Sequence, residues 1–187
     1  MCYNLSVINE KVMSDRRKGM LIRRTKEKDI KEMMRIVTQA QEYMRSQNIN
    51  QWQNGYPNKT VFLKDISKEM SYVAEEDGKV IGTFAFAVME EPTYKEIFEG
   101  EWKGSSEYAV LHRVAVDNQE KGKGLGGQMV EYAVRECRNQ NIDTLRIDTH
   151  RDNLSMQRML LKNGFERRGI IYLESGDERV AFEKIVR

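Results

Sequence analysis

Cysteine is nearly absent: Cys2 and Cys137 are the only two in 187 residues. Two thiols so far apart build neither a disulfide framework nor a metal cluster, and the two histidines, His112 and His150, do not complete a zinc site. No metal is expected, and a reducing, cytoplasmic setting fits. Long apolar runs are missing as well. Nothing approaches the roughly twenty residues that span a bilayer, and the N-terminus lacks the apolar core of a signal peptide. A soluble chain with no membrane partner is expected. An excess of one charge is also lacking: 31 Lys and Arg face 29 Asp and Glu, for a net charge of +2. No overall field is available to hold a polyanion, which argues against nucleic acid. What remains is a 21.9 kDa chain of the size of one domain, able to bury a core unaided.

Residues 1–19 show neither helical nor strand period and end in Arg16-Arg17-Lys18-Gly19 before Met20. They are expected to lie outside the folded domain, which is set at 20–187. The tetrapeptide reads as a translated ribosome-binding site, a purine-rich AGG-AGG-AAA-GGA stretch upstream of a methionine codon. On that reading the protein is bacterial and starts at Met20; the alternative is a basic arm touching an acidic surface.

From Met20 the periods alternate. Leu21-Ile22-Arg23 suits a short strand, and Asp29 with Glu32 resembles a capping box opening a helix that carries Ile30, Met33, Met34, Val37, Ala40 and Met44. A polar loop over 51–58 follows, then a short helix over about 60–70. Ser71 to Ala74 and Lys79 to Met89 read as a hairpin joined at Asp77-Gly78. After a loop with Pro92, Tyr94 and Trp102 comes the strand Tyr108 to Val116. Next follow a glycine cluster, a helix from Leu125, a strand Thr144 to Asp148, and a helix over about 153–162 ending at Asn163-Gly164. Two strands close the chain, centred on Ile171 and Ala181. The expectation is a mixed α/β domain of about seven strands, mostly antiparallel, and about four helices.

The glycine cluster, Gln119-Glu120-Lys121-Gly122-Lys123-Gly124-Leu125-Gly126-Gly127, lies between a strand and a helix. Free backbone N–H groups and the helix dipole can hold a phosphate there. Gly122, Gly124 and Gly127 also satisfy the G-x-G-x-x-G spacing, with Asp148 about twenty residues on, so a dinucleotide site has to be weighed. Against it, Asp117 to Lys121 separate the glycines from the strand, and too little chain follows Asp148 for a second mononucleotide half. A P-loop is weaker still, because no Lys-Ser or Lys-Thr closes the glycines.

In this region the chain resembles the GNAT acetyltransferase superfamily, whose pyrophosphate loop reads Gln/Arg-x-x-Gly-x-Gly/Ala, here Gln119-x-x-Gly122-x-Gly124. The likeness runs from Val110 to Phe165 and includes Asn153 near the start of the following helix and Gly164-Phe165 beyond its end. It implies the GNAT fold, acetyl-CoA as co-substrate, and an amine acceptor that is a small molecule or a peptide, with a homodimer left open. Carried over by position, it implies that the main chain of Val114, Ala115 and Val116 pairs with the pantetheine arm like an added strand. Lys121, Gly122, Lys123, Gly124, Leu125 and Gly126 would cradle the pyrophosphate. Asn153 would hydrogen-bond the pantetheine or nearby backbone, against the alternative of a plain helix N-cap.

Acetyl transfer needs a neutral amine, a polarised thioester carbonyl and a proton for the departing thiolate. By strand alternation Val110, His112, Val114 and Val116 share a face, and some relatives carry a histidine base at the place of His112. A buried structural histidine is the alternative. Many relatives also place a tyrosine acid four residues before the glycine of Gly-Phe; Leu160 stands there in this chain. Tyr172 is the substitute candidate, against a packed strand aromatic, and water is a third source. Trp52, Tyr56, Tyr94 and Trp102 fall where relatives build the acceptor pocket, or they staple their loops to the core; Glu101 or Glu107 could hold a positive charge. A non-catalytic acyl-CoA sensor, and a transferase using another acyl-CoA or a hydroxyl acceptor, remain as alternatives.

Overall fold

In the computed structural model, which describes residues 20–186, strands and helices follow the sequence periods closely. In order they are β1 (Met20–Arg24), α1 (Ile30–Ser46), α2 (Lys59–Ser67), β2 (Ser71–Glu76), β3 (Lys79–Val88), β4 (Ala109–Val116), α3 (Leu125–Asn139), β5 (Thr144–Thr149), α4 (Leu154–Lys162), β6 (Glu166–Tyr172) and β7 (Glu178–Ile185). The ribosome-binding-site and basic-arm readings of 1–19 lie outside the described residues. Turn chemistry sets the connections: Asp77 and Gly78 take φ of 50° and 77° in the β2–β3 turn, and Gly164 takes 78° after α4. The expected Asp29–Glu32 capping box does not form. Asp29 already has helical backbone angles and caps nothing within α1; its Oδ2 instead accepts from the Lys26 N–H at 2.8 Å, and its carboxylate holds Arg23.

The strands form one sheet in the order β1-β2-β3-β4-β5-β7-β6, antiparallel throughout except for β4 beside β5. Alternating side chains give the sheet two apolar faces. On one, Leu125, Met129 and Ala133 of α3 and Leu160 of α4 pack on Phe84, Leu111 and Ile147. On the other, Met33, Ile36 and Val37 of α1 and Phe62 of α2 cover Val73, Val80 and Ala115. Cys137 lies on the buried face of α3, and burial pushes its thiol up to about 12, so it is a core residue and no nucleophile.

Two irregularities shape the middle of the sheet. Arg113 has φ of 54°, and the β3–β4 register shifts there, with Thr83 opposite Ala115 but Ala85 opposite His112. This bulge inserts one residue and reverses the alternation. Val110 and His112 face the α1 side, whereas Val114 and Val116 pack with Leu111 on the α3 side. The expectation that His112, Val114 and Val116 share a face is thereby corrected. The second irregularity is a splay. β4 and β5 pair only at Ala109–Leu145 and Val110–Arg146, so from Leu111 onward the β5-facing backbone edge of β4 has no strand partner among the described residues.

Candidate active site

The splay opens a cleft of about 1480 Å³ running from the glycine loop, along β4, to the ends of β5 and β7. At the loop end Gly124 is the N-cap of α3, with φ of 85°, and Gly122 has φ of 78°. Glycine is required by this left-handed backbone, and no other atom lies within 4 Å of where a Cβ would sit at either position. The first turn of α3 contains no acidic residue, leaving its N–H groups and dipole open to an anion. Lys121 lies over the Tyr43 ring at 4.4 Å, with its pKa lowered by burial, and Lys123 pairs with Glu120 at 3.0 Å. Gln119 holds the loop from behind, its Oε1 accepting from Lys79 Nζ at 3.4 Å. These features together fit a diphosphate.

In mid-cleft, His112 lies with its Nε2 3.3 Å from Glu91 Oε2, though the two are not aligned for a linear hydrogen bond. Contact with His112 draws the Glu91 carboxyl below its ordinary range, against the upward push of burial. Arg113, turned to the same side by the bulge, reaches Asp65 of α2 at 2.7 Å and donates from Nη1 to the Tyr56 hydroxyl at 2.8 Å. The loop carrying Trp52 and Tyr56 closes over the cleft through Gln51. Gln51 Oε1 accepts from Asn153 Nδ2 at 3.1 Å and from Thr149 Oγ1 and the His150 N–H, each at 3.4 Å.

Trp52, Tyr56 and His112 line this cleft, as do Val114, Ala115 and Val116 and the glycine loop from Lys121 to Gly126 except Lys123. Asn153 lines it too, but its side chain is committed: Oδ1 caps α4 by accepting from the Met156 N–H at 3.2 Å, while Nδ2 holds Gln51. Three candidates are corrected. Tyr172 lies outside the cleft, 47% exposed and edge-to-face with Phe98 at 5.3 Å, because it stands near the outer end of the edge strand β6. Tyr94 and Trp102 wall a separate hollow of about 670 Å³ beside Glu107 and Arg146. Their loop is held to β6 by the Phe98–Ile170 bridge. Tyr94 is buried, donates from its hydroxyl to Asp148 Oδ1 at 2.7 Å, and holds its proton far above the usual tyrosine range through burial and that carboxylate. Trp102 Nε1 donates to the Tyr94 carbonyl at 2.8 Å, and Glu101 is spent on Lys103. The fully buried Leu160 brings no acid to the cleft.

Sequence reasoning missed Glu91, Gln51, Asp65 and Arg113. None carries a motif: Gln51 and Glu91 stand in loops, Arg113 at the bulge, and Asp65 on α2.

A sequence model of the Acetyltransferase (GNAT) family matches residues 34–165. A GNAT-family acetyltransferase from Streptococcus agalactiae superposes with a TM-score of 0.82 at 30% identity, covering 91% of this chain and 97% of that one. The PaiA N-acetyltransferase of Thermoplasma acidophilum, solved in complex with coenzyme A, shares the fold with a TM-score of 0.67 at 17% identity, covering 89% of this chain and 99% of its own. Human N-acetyltransferase 8B is 26% identical over 98 residues, a match spanning 52% of this chain and 39% of that protein's length.

Proposed function

Because the chain belongs to the GNAT acetyltransferase family, we propose that it moves the acetyl group of acetyl-CoA onto an amine by direct attack. The observation that carries this reading is the unpaired edge of β4 from Leu111 to Val116, leading straight to the left-handed glycine cap of α3. A pantetheine arm lying along that edge meets free N–H and C=O groups as an added strand would. The diphosphate then reaches the α3 N-terminus, between Lys121 and Gly126.

On this reading His112 takes the proton from the acceptor ammonium, directly or through water. Glu91 holds the ring and stabilises the positive charge it gains. The freed amine attacks the thioester carbonyl, whose developing oxyanion is met by a backbone N–H of the Val114–Val116 segment. The C–N bond forms, the C–S bond breaks, the attacking nitrogen gives its remaining extra proton to water, and the thiolate leaves as CoA after taking a proton from water. Tyr172, outside the cleft, and Leu160 supply none.

Leu160, where relatives place a tyrosine acid, favours one second reading: an acyl-CoA sensor that binds without turnover. Calorimetry against acetyl-CoA, CoA, longer acyl-CoAs and NAD, followed by thiol release over an amine panel, tests both. Acetyl-CoA binding with amine-dependent thiol release is expected. Binding without release on any amine would assign the sensor, and no binding at millimolar acetyl-CoA would end both readings.

A further inference from the structure

On the described strands, the buried and half-buried arginines come with carboxylates. Arg23 pairs with Asp29, Arg113 with Asp65, and Arg146 and Arg168 with Glu183. Arg179 is the exception. It is only 6% exposed and lines the cleft, yet its hydrogen bond is from Nη1 to the neighbouring Glu178 carbonyl at 2.8 Å, with no carboxylate in ion-pair contact among the described residues. An unpaired buried cation is costly, and the planar guanidinium fork matches a carboxylate in two-point fashion.

Its position says which ligand it serves. Arg179 stands two residues before Ala181, which pairs with Asp148, so it shares the sheet face of Asp148, Tyr94 and His112. That is the face opposite the one on which Val114 and Val116 pack under α3. It lies at the far end of the cleft from the glycine loop, close enough to His150 to help hold that imidazole's pKa down, after burial. Glu91 and Asp148 supply negative charge nearer the middle of the cleft. A molecule with an ammonium toward His112 and Glu91 and an anion toward Arg179 would satisfy both ends.

We propose that the acceptor is an amine that also bears a carboxylate, bound by Arg179 at the β7 end of the cleft. This rests on the acetyltransferase reading. β4 and β7 are two strand spacings apart, about 10 Å before the splay is added, a span suited to an amino acid or short peptide acid once the arginine side chain reaches inward.

The test uses the whole protein, acetyl-CoA, and amino acids and dipeptides each beside its carboxamide. Acids are expected to exceed their amides in kcat/KM by at least about tenfold. Arg179→Gln should erase that preference by raising KM for the acids, and Arg179→Lys should keep part of it. KM for acetyl-CoA and rates on the amides should stay within about twofold in both variants. Equal use of acids and amides by the wild type, an equal loss on both series in Arg179→Gln, or weakened acetyl-CoA binding in that variant would overturn the inference. So would normal acetyl-CoA binding with no turnover of either series, whereas failure to bind acetyl-CoA would sink the underlying reading instead.

Discussion

At the scale of single residues, the cleft is defined by which polar groups are already occupied. Tyr94 spends its hydroxyl on Asp148, Tyr56 accepts from Arg113, and Asn153 divides its amide between the α4 cap and Gln51. His112, on β4 itself, is left lining the cleft with Glu91 beside it. His112→Ala is expected to lower kcat by about 10²- to 10⁴-fold while leaving acetyl-CoA affinity within about twofold. Glu91→Gln should lower kcat less, because it acts through the ring. Steady-state kinetics checks both, and unchanged turnover in His112→Ala would remove it from the mechanism. Away from the cleft, burial raises the Asp29 carboxyl but Arg23 and the Lys26 N–H outweigh it, and the net shift is below the ordinary 3.8. A carboxyl held lower in the folded state stabilises at neutral pH, and that contribution is lost as pH falls through its lowered value. Asp29→Asn should therefore melt several degrees lower at pH 7, with the gap closing in acid; thermal melts across pH would show a constant gap if Asp29 did not titrate this way.

At the scale of elements, the site is where local geometry departs from regular periods. Gly124 joins loop to α3 in a left-handed cap facing open space, so a larger side chain there meets backbone strain first and the ligand second. Gly124→Ala should bind acetyl-CoA weakly and Gly124→Glu not at all, since a carboxylate would stand against the diphosphate; titration calorimetry reads this, and retained binding in Gly124→Glu would displace the site from the loop. The same departures mark the limit of what the sequence tells. Helical spacing in α1 and α3, the Asp77-Gly78 turn and the Gly164 cap are local signals, and they located the four α-helices and seven strands of the described residues. The glycine loop was legible for the same reason. The bulge was not: a positive φ at Arg113 has no sequence signature, and it is set by long-range contacts to Asp65 and Tyr56. Missing it put Val114 and Val116 on the wrong face. Tyr94 and Trp102 were misplaced because the docking of their loop onto β6 is decided by strands about seventy residues later.

At the scale of the whole molecule, the sheet is two half-sheets, β1 to β4 and β5 to β7, joined through only two parallel residue pairs. Side chains bridge the rest: Gln51 ties the first half to Asn153 and Thr149, Ser105 donates its backbone N–H to the Thr144 hydroxyl at 3.0 Å, and Tyr94 holds Asp148. A ligand strung along β4 and reaching α3 and the Gln51 loop would fill the gap left by the splay, so its binding free energy should appear as stability of the entire fold. At acetyl-CoA a hundredfold above its Kd the linkage is worth about 2.7 kcal/mol. For a chain of this length that corresponds to a rise in Tm of about 5–10 °C. NAD should give no comparable shift, because its second nucleotide has no half-site here. Gly124→Glu should lose the shift and also melt somewhat lower than the wild type without ligand, since its side chain enters open space but sits on a backbone of φ 85°. Differential scanning fluorimetry measures all three, and a Tm indifferent to millimolar acetyl-CoA would mean that the splay between β4 and β5 is not where that molecule lies.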